Sequence, residues 1–216
     1  MSEGNAPETP EERMAILKRT LEMKIRFTKA ELDALNKKNS TVIDTENKKK
    51  YEKLGKTAEK LVNSSDALLQ EGKKGIFAQV KESDDKQKLY DSIKTLFADY
   101  NSSIKALKDT AGTMNDFYRQ MLIEAPEDAK EELAKVGVSF AKDGTASVDM
   151  DKLKSADTES LEKLFGSKSE VVSKVKFIAT RISNNAEASV KSYSSGYSSK
   201  GNLYNGSVNS RFDFRG

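Results

Sequence analysis

The sequence predicts a mainly α-helical fold, with an N-terminal helical hairpin followed by a helical bundle module that carries one small β-hairpin. Apolar residues recur at spacings of three and four over most of the 216 residues. Asp143 and Gly144 form the dipeptide most typical of a β-hairpin turn, between two short runs of alternating polarity. We divide the chain into a disordered start, a helical hairpin, the bundle module and a flexible tail: 1–8, 9–75, 85–191 and 192–216.

The first helix has a strong start signal. Thr9 stands at the N-cap, Pro10 at the first helical position and Glu12 where a capping box needs it. An apolar stripe follows that is narrow enough for a coiled-coil seam. We predict that this stripe forms an interface, with candidate residues Met14, Leu17, Leu21, Ile25, Leu32 and Leu35.

A second helix is predicted from near Asp44 to about 72–75, with apolar residues again at spacings of three and four. Two helices joined by a short polar loop should fold back on each other as an antiparallel hairpin. A hairpin buries only one face of each helix, so it needs a third partner, either the rest of the chain or another subunit. The interface candidates from this helix are Tyr51, Leu54, Leu61 and Leu68.

The middle of the chain is predicted to be helical with two interruptions. Residues 76–84 fit either a short strand or a helical turn, and the pattern leaves both open. A long helix follows from Asp85, Gly112 interrupts it, and Pro126 begins the helix that carries Leu133. The last helix is predicted from near Ser169. The methionine and aromatic side chains of these helices are expected in the core, among them Met114, Phe117, Met121 and Phe177.

The segment 136–149 is the predicted β-hairpin, in which Gly144 supplies the positive φ of the turn. Asp149 follows as the N-cap of a short helix. Thr158 is expected to open a second short helix, which Gly166 should end at its C′ position. A two-stranded ribbon is only marginally stable alone, so the neighbouring helices are expected to support it.

The same segment resembles one protein family. The matching residues are Leu133, Val136, Gly137, Val138, Ser139, Lys142, Asp143, Gly144, Thr145, Ser147, Asp149, Lys152, Leu153, Leu161, Leu164, Phe165 and Gly166. Their order is similar to that in the C-terminal module of the bacterial flagellar filament cap proteins, also called hook-associated protein 2. The resemblance covers roughly 85–200 and includes the helix with Tyr100 and Asn101. It implies a structural role in the flagellum and export without a cleaved signal.

The chain departs from that family at both ends. The family continues into a long C-terminal coiled-coil helix and has large outer domains, whereas 192–216 is rich in Ser, Gly and Asn. Residues 1–75 have no assigned counterpart. Two interpretations of 192–216 stay open: a disordered tail, or an arm that adds as a strand to a partner's sheet through Phe212 and Phe214.

Composition excludes several classes of function. The chain has no Cys and no His, which excludes a structural zinc site and a thiol or imidazole nucleophile. A net charge of +3 argues against a dedicated nucleic-acid binder. No apolar run is long enough to span a membrane. The Gly55-Lys56-Thr57 and Asp149-Met150-Asp151 sequences lack the further residues of a phosphate loop and a calcium loop. We therefore expect neither an enzyme nor a cofactor.

The predicted function is that of a structural assembly protein, a flagellar cap-like or flagellum-associated subunit that acts through helix-mediated contacts. The expected partners are flagellar axial proteins or further copies of the chain, in the flagellum or outside the cell. Two alternatives stay open: a cytoplasmic export chaperone or adaptor for a secreted helical client, and a secreted or surface adhesion module.

Overall fold

A computed structural model describes residues 45–83 and 85–194, which form helices and one two-stranded antiparallel sheet. The mainly α-helical fold with one small β-hairpin is therefore confirmed. The elements in chain order are α1 (45–69), a 3₁₀ turn (Gly72–Lys74), α2 (Ile76–Ser83), α3 (Gln87–Asp109), α4 (Thr113–Glu124), a 3₁₀ turn (Glu127–Ala129), α5 (Lys130–Lys135), β1 (Val138–Phe140), β2 (Ala146–Val148), α6 (Met150–Ser155), α7 (Thr158–Phe165) and α8 (Glu170–Ser194).

Helix α1 runs antiparallel to α3. The Ser103 hydroxyl donates to the carbonyl oxygen of Thr57 at 3.3 Å. Further along the same pair, the Lys53 ammonium lies 3.9 Å from a carboxylate oxygen of Asp109. Because the residue number rises on α3 as it falls on α1, the two helices point in opposite directions.

Helix α8 also runs antiparallel to α1. The Lys176 ammonium lies 2.6 Å from the Asp66 carboxylate, near the end of α1. At the other end, the rings of Tyr51 and Tyr193 lie 6.0 Å apart between centroids. The three long helices thus form a bundle with α1 set against both α3 and α8.

The apolar stripe of α1 lies inside this bundle. Its leucines Leu54, Leu61 and Leu68 are completely inaccessible to solvent and belong to the same core cluster as side chains of α3, α7 and α8, whereas Tyr51 is half-buried against this cluster. The apolar side of α1 is therefore covered by the rest of the described chain. We accordingly assign to the core three of the residues predicted for an interface, Leu54, Leu61 and Leu68.

The β-hairpin has the register Val138↔Val148 and Phe140↔Ala146. The Ala141 amide donates to the Thr145 carbonyl at 2.9 Å, which closes the loop. Gly144 has φ +86, as the hairpin signal in the sequence requires. An added Cβ there would also collide with the side chain of Ile123 on α4, so the turn lies tightly against that helix.

Asn101 on α3 fixes the hairpin to the bundle. Its side-chain oxygen accepts from the Ala146 amide at 2.7 Å, and its side-chain nitrogen donates to the Ala146 carbonyl at 2.8 Å. A neighbouring strand would form the same two hydrogen bonds with this edge of β2. The amide side chain of Asn101 therefore satisfies the backbone groups that such a strand would pair. The support expected for a marginal two-stranded ribbon therefore comes from α3.

Four aromatic rings fill the space below the hairpin. Phe97 contacts Phe165 and Phe140 edge to face, with centroids 6.0 and 6.1 Å apart. Tyr100 packs against Phe140 at 6.1 Å and donates its hydroxyl to the Leu122 carbonyl at 3.0 Å. Burial raises the pKa of this hydroxyl, with a smaller effect from the charge of Glu127. The hairpin, α3, α4 and α7 therefore share one aromatic centre.

The capping predictions hold in part. Asp149 caps α6 by accepting from the amides of Asp151 and Lys152. Helix α7 begins at Thr158, as predicted, and Asp157 precedes it as the N-cap, because its carboxylate accepts from the Ser160 amide at 2.7 Å. Helix α7 ends at Phe165, and Gly166 follows with φ −77 as the C-cap, one position earlier than the predicted C′. Glycine is required there because a Cβ would collide with the Glu162 carbonyl oxygen.

Two boundaries also differ from prediction. Residues 76–84 fitted either a strand or a helical turn, and the structure has helix α2, with Ile76, Phe77 and Val80 buried. The second predicted helix ends at 69, before a 3₁₀ turn in which Gly72 has φ +73. The residues of this turn are exposed, and burial resumes at Ile76.

Candidate interaction surface

Several carboxylates of the described residues are paired at the surface. Within 45–83 and 85–194, no three Asp or Glu side chains converge as a metal site would require. Lys174 holds the pKa of the Asp128 carboxyl below its usual range, by a hydrogen bond first and by its charge second. The pKa of Asp157 is lowered by hydrogen bonds from Ser160. Over the same residues, no helix is long and apolar enough to cross a membrane.

The most unusual feature of the described surface is a set of large apolar side chains in contact with solvent. Met114 and Phe117 on α4 are 53% and 58% exposed, and Phe177 on α8 is 55% exposed. The prediction that these side chains belong to the core is therefore wrong. These three residues lie outside the buried stripes of their helices, so their side chains point to solvent.

The exposed residues of α4 lie along one flank. Met114, Phe117 and the half-buried Met121 follow at i, i+3 and i+7, which are neighbouring positions on a helix. The inward side of α4 carries Asn115 and Leu122, which are 1% and 0% exposed. The other flank carries Ile123, which lies against the hairpin turn at Gly144. The methionine and phenylalanine flank therefore points away from the hairpin.

Helix α8, which packs against α4, also carries an exposed row of side chains. Lys174, Phe177 and Arg181 also follow at i, i+3 and i+7. The Lys174 ammonium lies 2.7 Å from the carboxylate of Asp128, just beyond the end of α4, which shows where this row points. The Arg181 guanidinium lies 5.1 Å above the Phe177 ring, as a cation–π pair.

Together these side chains form what we name the α4–α8 face: Met114, Phe117, Met121, Phe177 and Arg181. Exposed apolar side chains that cluster on a surface commonly mark interaction sites. Methionine, aromatic residues and arginine are also the types enriched in protein interfaces. The α4–α8 face is the candidate interaction surface.

A buried polar junction holds the start of α4. The Asn115 side-chain nitrogen donates to the Thr110 carbonyl at 2.8 Å and to the Tyr51 hydroxyl at 3.4 Å. Gly112, with φ +149, allows the chain to turn sharply between α3 and α4. These contacts tie α4 to α1 and α3, so the exposed flank is carried by a helix in a fixed position.

The residues predicted from the sequence fall into three groups. Tyr51 is half-buried against Tyr193, and the three leucines of α1 are in the core. Asp143 accepts from the Thr145 amide and hydroxyl, so it fixes the hairpin turn. The remaining predictions lie outside the described residues: Thr9, Met14, Leu17, Leu21, Ile25, Leu32, Leu35, Phe212 and Phe214.

The sequence did contain a signal for the α4–α8 face. The buried stripe of α8 runs through Val175, Ile178 and Ile182, and Phe177 does not fall at a spacing of three or four from these residues. An aromatic residue off the stripe of a long helix predicts either a second contact or exposure.

Neither a protein family model nor a curated protein nor a solved structure matches this chain.

Proposed function

We propose that this chain is a structural assembly protein, a flagellar cap-like or flagellum-associated subunit that binds other proteins through helix-mediated contacts. The observation that carries the proposal is the α4–α8 face, where Phe117 and Phe177 are more than half exposed. The flagellar part rests on the resemblance of the segment from Leu133 to Gly166 to the flagellar filament cap family.

The α4–α8 face has the energetics of a binding site. Burying a phenylalanine or methionine side chain contributes about 1.5–3 kcal/mol relative to full exposure, so a half-exposed side chain still offers about 1 kcal/mol. Three such side chains, with the Arg181–Phe177 pair beside them, supply the apolar centre of an interface. Arg181 adds a planar donor group that recognises a carboxylate by two parallel hydrogen bonds.

A preorganised face also reduces the cost of binding. Helix α4 is held at its start by Asn115 and further along by the Tyr100 hydroxyl, which donates to the Leu122 carbonyl. The backbone of such a platform needs little reordering when a partner binds, which leaves more of the contact energy as affinity. This favours stable assembly over transient encounter.

Fractionation of the source organism tests the proposal. An antibody against the chain is used on cytoplasm, culture medium and sheared flagella, from cells with intact or blocked flagellar export. The proposal expects recovery with sheared flagella, and loss of that recovery when export is blocked.

The other results decide between the alternatives. Retention in the cytoplasm in both strains contradicts the proposal and supports the export chaperone or adaptor. Recovery at the cell surface or in the medium, independent of flagellar export, contradicts it and supports the adhesion module.

A further inference from the structure

Helices α4 and α8 run antiparallel beneath the α4–α8 face. At one end, Asn115 in the first turn of α4 donates to the Tyr51 hydroxyl, and the Tyr51 ring lies 6.0 Å from that of Tyr193 near the end of α8. At the other end, Asp128 just beyond α4 pairs with Lys174 near the start of α8. Two helices packed side by side leave a groove between their exposed rows, and a third helix fits such a groove.

The face carries one cation without an anionic partner. Lys174, at its edge, is neutralised by the carboxylate of Asp128. The Arg181 guanidinium lies above the Phe177 ring, and none of the ion pairs within the described part of the chain includes it. A guanidinium binds a carboxylate through two parallel hydrogen bonds. A partner that is apolar, with a carboxylate at the rim of its apolar surface, is therefore complementary to this face.

We propose that the α4–α8 face binds a single amphipathic helix of a partner protein, which carries a carboxylate beside its apolar stripe. The stripe lies in the groove against the methionines and phenylalanines of the face, and the carboxylate pairs with the Arg181 guanidinium. Methionine side chains adapt to apolar surfaces of different shape, which suits a helix of unrelated sequence. The inference rests on the proposed function and adds the chemistry of the partner at the same face.

Charge favours this occupant over a second copy of the chain. A two-fold contact brings the same patch of each copy together, so two faces that each carry an unpaired cation would meet. Glu124, seven positions after Phe117, is the acidic residue beside the exposed row of α4, and it already accepts from Gln120 at 2.7 Å. A lipid surface fits less well, because binding to anionic membranes uses clusters of about four to eight Lys and Arg residues.

Methionine methyl groups provide the readout. Met114 and Met121 lie on the face, whereas Met150 is half-buried on α6 and serves as the internal control. The full chain, with isotope-labelled methionine methyl groups, is titrated with two synthetic helical peptides and followed by NMR. Both peptides carry leucines at i, i+3, i+4 and i+7, flanked on both sides by glutamate in one peptide and by glutamine in the other. Met114→Leu and Met121→Leu assign the two signals.

The proposal expects the glutamate peptide to shift the signals of Met114 and Met121 but not that of Met150. The glutamine peptide should bind about threefold more weakly, as expected for the loss of one surface ion pair. In the Arg181→Gln variant the two peptides should bind equally. Lys60→Gln, at an exposed position on α1, should keep the preference for glutamate. Circular dichroism checks that each variant is folded.

Three results with the peptides overturn the inference. One is the absence of a shift at both methyl groups with both peptides. Another is equal binding of the two peptides by the unmodified chain. The third is a preference for glutamate that Arg181→Gln retains.

Two further results identify a different occupant and also overturn the inference. Signals of Met114 and Met121 that shift with the concentration of the chain alone identify a second copy. Loss of both signals on adding vesicles of phosphatidylcholine and phosphatidylserine identifies a lipid surface. All these spectra are recorded on the purified chain, so they can fail while fractionation still finds the protein with sheared flagella.

Discussion

Two regions of the molecule carry similar aromatic side chains but differ in how exposed these are. One is the contact between α3 and the hairpin, and the other is the α4–α8 face. Below the hairpin, Phe97 and Phe165 are 5% and 0% exposed and meet edge to face at 6.0 Å. On the α4–α8 face, Phe117 and Phe177 are more than half exposed. The difference lies in polar closure, because Asn101 pairs the edge of β2 and draws the hairpin over the aromatic cluster. Aromatic residues alone do not define a core. Below the hairpin, the polar contact of Asn101 accompanies the covered aromatic surface.

The largest effect is expected in the core stripe of α1. Leu61 is completely buried, so Leu61→Ala should lower the free energy of unfolding by about 2–5 kcal/mol. Leu61→Asp should prevent stable folding, because it buries a carboxylate without a partner. Urea denaturation followed by circular dichroism measures both. A Leu61→Asp variant as stable as the unmodified chain would show that α1 is not part of the core.

A smaller loss is expected at the anchor of the hairpin. Asn101→Ala leaves the Ala146 amide and carbonyl without their partner, which should cost about 1–3 kcal/mol. Ser102→Ala, at the exposed neighbouring position, should change stability by less than about 0.5 kcal/mol. Hydrogen exchange at residues 138–148 should rise in the Asn101 variant alone. Equal exchange in the two variants would contradict the role of Asn101.

The cap of α7 should make stability depend on pH. Hydrogen bonds from Ser160 lower the pKa of Asp157 in the folded chain, so its contribution is complete above the unfolded pKa of about 3.9. The contribution is lost as pH falls through the lower folded value. Asp157→Asn should therefore lower the thermal midpoint near neutral pH, and the difference from the unmodified chain should vanish at strongly acidic pH. A constant difference throughout would rule out this linkage.

The smallest effect on stability is expected on the α4–α8 face. Phe117→Ser with Phe177→Ser should change the free energy of unfolding by less than about 1 kcal/mol in total, because both side chains are already more than half exposed. Thermal unfolding of the double variant beside Lys60→Ser, an exposed position on α1, checks this. A large loss of stability would mean that the α4–α8 face is part of the core, like the aromatic cluster below the hairpin.

Local chemistry explains how much of this could be predicted from sequence. The turn at Gly144 and the cap at Asp149 depend on a few neighbouring residues, and the sequence contains all of them. The buried stripe of α1 was also visible in the spacing of its leucines. Periodicity shows that one side of a helix is covered but not what covers it, so the spacing of those leucines leaves open whether the rest of the chain or another subunit packs against them.

The role of Asn101 could not be derived from spacing. Its partner, Ala146, lies 45 residues away in the sequence, so the pair exists only once the fold is formed. Within the sequence, Asn101 resembles any polar residue of an amphipathic helix. The exposure of Phe177, in contrast, could be predicted from its position off the buried stripe of α8. The general tendency of aromatic residues to be buried favours the opposite prediction, which is wrong here.

Assembly through the α4–α8 face, as proposed, is tested most directly by one measurement. Cells that produce the chain with Phe117→Ser and Phe177→Ser, and matched cells with Lys60→Ser, are fractionated into cytoplasm, medium and sheared flagella. The account predicts that the double variant is exported to the medium in folded form but is missing from the flagella, where Lys60→Ser is retained. Recovery of the double variant with flagella at the unmodified level would contradict the account.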